Sequence, residues 1–147
     1  MRHILCTLAV LLVIGTTFGQ EHNDQVKLIE VNSTLRFMNA YVENLTNSMN
    51  NHELLRWIES SKSVTKELKK YCKRKYDEAK KNAELSNRFD PLFDGHAFPA
   101  KGFELESINP QTDEIILRGK DSETHQLHIQ VKQVNERWVV NKVSQGK

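Results

Sequence analysis

Nine basic and three acidic side chains fall within positions 62–81, a net charge of +6 in a chain whose formal net charge is +2. At the 100° per residue of an α-helix, Lys62, Lys66, Lys69, Lys70, Lys73, Arg74, Lys80 and Lys81 project within an arc of about 140°. Such a cluster raises a local positive potential and attracts anions through screened, salt-sensitive charge. Its chemistry is non-covalent capture of a polyanion. The opposing interpretation is a solvated helix face balanced by Asp77, Glu84 and acidic loops.

Residue types suited to covalent chemistry are sparse. The chain has no Gly-x-Ser-x-Gly, phosphate loop, His-Glu-x-x-His or Cys-x-x-Cys. His125 falls on the same strand face as Leu127 and Ile129, where a histidine packs, and no acidic residue can be placed beside it, so no catalytic residue is assigned. Asp90, Asp94 and His96 share one turn-rich stretch. Their spacing fits no zinc or calcium pattern, and Asp-Pro and Asp-Gly are ordinary turn pairs. No metal or cofactor is expected.

Compartment follows from the N-terminus. Arg2 and His3 precede an apolar run over residues 4–14, and Thr17 and Gly19 stand at −3 and −1 before Gln20. These are the three parts of a cleavable secretory signal, and the run is too short for a membrane span. Residues 1–19 are expected to be removed and 20–147 to be exported as one domain with no transmembrane segment. Outside the cell, sulfated glycans and anionic lipid surfaces are the available polyanions, with nucleic acid a poorer candidate. Cleavage removes Cys6 and leaves Cys72 alone. Its position in an apolar stripe predicts a buried, unreactive thiol; the rival expectation is an intermolecular disulfide. Two triplets, Asn32-Ser33-Thr34 and Asn44-Leu45-Thr46, make Asn32 and Asn44 candidate glycosylation sites.

Three helices are expected to position these groups. Leu28, Val31, Leu35, Met38, Val42, Leu45 and Met49 recur at steps of three and four, one face of a long helix over residues 24–49 suited to packing on a sheet. Asn44 lies about 150° from the centre of that stripe and Asn32 about 90°, so a glycan on Asn44 is expected to project into solvent. Asn50, with Glu53 three residues on, opens a short second helix. Ser63 is the expected N-cap of a third, running to about residue 85, whose buried face is Val64, Leu68, Cys72, Tyr76, Ala79 and Ala83. A turn-rich stretch over residues 86–102 is expected to be pinned to the core by Phe89, Phe93 and Phe98.

Four strands follow, over residues 103–108, 114–118 and the pair within 124–143. With Asn135-Glu136 as a two-residue turn, Val131 lies opposite Val140 and Gln133 opposite Trp138, so Ile129, Val131, Trp138 and Val140 share a face. The result is an α+β domain, three helices packed on a four-stranded antiparallel meander.

The long helix at Leu28 to Met49 and the closing pair HQLHIQV…RWVVNKV resemble the nuclear transport factor 2-like, or broader cystatin-like, fold group in its secreted small-protein type. That resemblance implies a helix in the concavity of a curved, cone-shaped sheet. It also implies an alternative function, a small-molecule pocket protein or an isomerase or hydratase using an Asp or His. A deep pocket lined by an Asp–His pair would favour this alternative. A filled core with a continuous basic face favours a non-catalytic binding or interaction module, which is the reading preferred from the sequence.

Overall fold

The computed structural model describes residues 4–47, 49–81, 90–93 and 98–146, with the backbone alone at 4–22 and 123. Helices α1 (Ile4–Thr46), α2 (Asn51–Ser60) and α3 (Lys66–Lys80) precede strands β1 (Phe103–Ile108), β2 (Ile115–Gly119), β3 (Ser122–Val134) and β4 (Arg137–Gln145). The strands pair antiparallel in the order β1-β2-β3-β4, and the sheet is not closed. This is the expected α+β meander. α1 packs on β1, β3 and β4, α3 packs on β4, and α2 packs against the other two helices.

α1 is longer than its amphipathic stripe, beginning at Ile4 within the N-terminal apolar run and ending at Thr46 rather than Met49. The chain must leave the helix there because Asn50, extended at φ −73° and ψ 164°, caps α2. The expected capping box is present: Glu53 N–H donates to Asn50 Oδ1 and Asn50 N–H to Glu53 Oε2, each at 3.0 Å.

The buried face of α1 is rotated from the expected stripe. Val31, Met38 and Val42 are buried as expected, but Phe37, Tyr41, Thr34 and Glu30 join them, while Leu28 is 60% exposed. Large rings explain the shift. Phe37 stacks on Trp57 at 5.3 Å, and Tyr41 meets Phe93 edge-on at 5.3 Å. The centre of burial moves by about 60°, which makes Asn32, not Asn44, the residue opposite the core. Accordingly Asn32 is exposed and Asn44 half-buried, the reverse of the expected order.

The hairpin takes the expected register, Val131 opposite Val140 and Gln133 opposite Trp138. Asn135 and Glu136 both have positive φ, 48° and 62°, as a type I′ turn requires. A bulge between Gln130 and Val131 brings Val143 opposite Ile129. β1 is tied to α1 by Asn39, whose Oδ1 accepts Phe103 N–H at 2.7 Å. Gly102, at φ 77°, makes that approach possible, since a Cβ there would stand 2.4 Å from the same oxygen. Phe93 is fully buried and Phe98 packs on the core, so these two rings pin their stretch as expected; Phe89 lies outside the described residues.

Candidate polyanion-binding site

α3 begins two residues later than expected. Thr65, not Ser63, is its N-cap, with Leu68 N–H donating to Thr65 Oγ1 at 3.2 Å. Ser63 is occupied elsewhere. Its carbonyl accepts Val140 N–H at 2.8 Å and Thr65 N–H donates to Val140 O at 2.9 Å, so Val64 bridges β4 in parallel fashion. This pairing covers part of the β4 edge and fixes where α3 starts. Lys62 therefore precedes the helix instead of belonging to its face. α3 runs to Lys80 with Lys81 as C-cap, and residues 82–85 of the expected helix lie outside the described residues.

Leu68, Cys72 and Ala79 form the inner face of α3 together with Val64, and Tyr76 is half-buried; Ala83 lies outside the described residues. Lys66, Lys70, Lys73, Arg74, Lys80 and Lys81 are exposed. The middle of the outer face is partly neutralised, because Lys73 pairs with Asp77 at 2.8 Å and Arg74 with Glu78 at 3.9 Å. The Asp77 hydrogen bond raises the Lys73 ammonium above its ordinary value. Lys69 is half-buried and donates to Glu59 O at 2.7 Å, near the C-terminal end of α2 where a cation is favoured. Lys75, absent from the expected set, lies 6.0 Å from the Tyr71 ring centroid, and Arg74 lies 5.6 Å from it.

A cleft of about 540 Å³ opens between the start of α3 and the β3–β4 hairpin. Lys62, Lys66 and Lys69 line one wall, and Lys132 and Arg137 line the other, over a floor that includes Val64 and Val139. The single acid in the described lining is Glu67. Its carboxyl is held below the usual range first by its own backbone N–H, against a smaller opposing effect of burial, then by Lys132, Thr65 and Lys70. Among the described residues, Lys62, Lys66, Lys132 and Arg137 form no salt bridge.

Lys132 and Arg137 were not among the expected site residues, although the hairpin register holds the signal. Lys132 pairs with Val139 and Val134 with Arg137, so all four share one face. What periodicity lacks is the knowledge that this face borders the start of α3.

The residues weighed for other chemistry have structural surroundings. Asp90 is buried, and its Oδ1 accepts Tyr41 O–H at 2.7 Å, Leu92 N–H at 2.8 Å and Phe93 N–H at 2.7 Å. Asp94 and His96 lie outside the described residues. His125 packs against Phe93 and Phe103, with ring centroids 6.2 and 6.0 Å away. Cys72 is fully buried, and burial first, then the nearby Asp90 charge, pushes its thiol up to about 12. A second cavity, of about 510 Å³, lies between α3 and β4 against Leu68, Tyr71, Phe93 and Val143; its described lining contains neither Asp nor His.

No helix among the described residues is long and apolar enough to cross a membrane. No protein-family model matches this chain, nor does any curated protein or solved structure.

Proposed function

We propose that this chain is an exported, non-catalytic binding module that engages polyanions, sulfated glycans foremost, through the basic surface of α3. The observation that carries the reading is the division of this helix: Leu68, Cys72 and Ala79 fix one side in the core while Lys66, Lys70, Lys73, Arg74, Lys80 and Lys81 stand exposed on the rest. A rigid scaffold holding several cations at fixed spacing suits multivalent, salt-sensitive attraction to a repeating anion. The leader over residues 1–19 supplies the export part of the proposal.

The pocket-enzyme alternative of the nuclear transport factor 2-like group receives less support. Phe93 packs against Phe103 and His125 of the sheet, Asp90 is engaged by Tyr41, and the cavity between α3 and β4 lacks an Asp–His pair among its described lining. The test is retention on immobilised heparin. The triple variant Lys66→Gln, Lys70→Gln and Lys73→Gln keeps the fold and elutes at lower salt than wild type. If wild type and variant leave together in the wash at physiological ionic strength, α3 is only a solubilising surface.

A further inference from the structure

We infer that the polyanion is gripped in the two-walled cleft between α3 and the β3–β4 hairpin, and that Lys132 and Arg137 are binding residues for a sulfo group on a carbohydrate. This inference rests on the proposed polyanion reading and locates its binding site. Three features separate the cleft from the outer face of α3.

The first is charge balance. Lys73 and Arg74 have acidic neighbours one turn on, whereas Lys62, Lys66, Lys132 and Arg137 form no salt bridge among the described residues. An incoming sulfate therefore breaks no ion pair at these four, and Glu67, whose carboxylate feels Lys132, is the one acid of the described lining. The second is enclosure: walls contributed by separate elements approach an anion from two sides, and about 540 Å³ lies in the range of small-ligand sites. The third is the floor. Val64 and Val139 are buried, and Val134, which also lines the cleft, is 43% exposed. Apolar carbon beneath a ring of cations suits the C–H face of a sugar carrying anionic substituents. Arg137 adds a planar fork that can hold two sulfate oxygens at once.

The hairpin wall is fixed by its register to β4, and β4 is fixed to the start of α3 through Val64. The two walls are therefore set by hydrogen bonds before a ligand arrives, which lowers the ordering cost of binding.

A sulfated heparin tetrasaccharide is the probe, titrated by calorimetry into wild type, into Lys132→Gln/Arg137→Gln, and into Lys80→Gln/Lys81→Gln. Each pair removes two exposed cations, and unchanged thermal unfolding checks that both variants are folded. The cleft pair should weaken binding about tenfold, and the control pair at the far end of α3 by about twofold or less. Equal losses from the two pairs, or a greater loss from the control pair, overturn the cleft while leaving a diffuse polyanion surface standing. Wild type that neither binds the tetrasaccharide nor is retained on heparin removes the parent reading and the cleft with it.

Discussion

The buried side of α3 and the cleft at its start handle polar groups by opposite rules. Behind the helix, Tyr41, Asp90 and Cys72 lie buried together: Asp90 Oδ1 accepts from Tyr41 O–H, Leu92 N–H and Phe93 N–H, and its charge reaches both the phenol and the thiol. At the start of the helix, the cleft cations face water, with Glu67 the single acid in the described lining. An interior charge persists only where fixed donors replace its hydration, so its removal costs stability. A rim charge contributes little to folding and is available to a ligand. The first cluster anchors the core, and the second is suited to binding.

Asp90→Ala tests the anchor and should have the largest effect. It leaves the Tyr41 hydroxyl and two buried backbone N–H groups without this acceptor, a loss of about 3–5 kcal/mol in denaturant unfolding. The cleft pair Lys132→Gln/Arg137→Gln should change stability by less than about 0.5 kcal/mol in the same assay. Comparable losses would erase the distinction between the two regions.

Alkaline pH should weaken the buried cluster next. Burial, Asp90 and the hydrogen bond to it raise the Tyr41 phenol well above 10.0, and the Cys72 thiol, ordinarily 9.0, stands at about 12. The folded chain retains protons that the unfolded chain releases. Stability is therefore fully present below pH 9 and falls as pH rises from 9 toward 12, by at most about 1.4 kcal/mol per pH unit for each group. Cys72→Ala should flatten the decline between pH 9 and 10, where Cys72 acts before Tyr41. A thiol reagent at pH 8 should label wild type only after denaturant is added; rapid labelling of native protein would contradict the burial of Cys72.

Local patterns were the most legible part of the fold. The β3–β4 register follows from alternation and a two-residue turn, and the α2 capping box from Asn50 and Glu53, because each depends on neighbours within a few positions. Long-range partners were not legible. Ser63 looks like an N-cap until its carbonyl is taken by Val140, and the aliphatic stripe of α1 looks centred until Phe37 and Tyr41 find Trp57 and Phe93. The site divides in the same way: the sequence exposes the basic run at positions 62–81, whereas the opposite wall depends on where the hairpin docks.

The smallest expected effect separates folding from binding at one residue. Glu136 occupies the second central position of the β3–β4 turn at φ 62°, where a side chain is disfavoured by about 1–2 kcal/mol, and it immediately precedes Arg137 of the cleft. Glu136→Gly relieves that conformation but enlarges the freedom of the unfolded chain, which offsets about 0.4–1 kcal/mol of the gain. The net is a stabilisation of about 0.5 kcal/mol. Glu136→Gln removes the same negative charge and keeps the strained backbone. Both variants should elute slightly later from heparin, while only the glycine variant should gain stability. Equal thermal unfolding of the two would show no net benefit from glycine at 136. Elution unchanged in both would place the hairpin tip outside the reach of the bound anion and weaken the two-walled cleft.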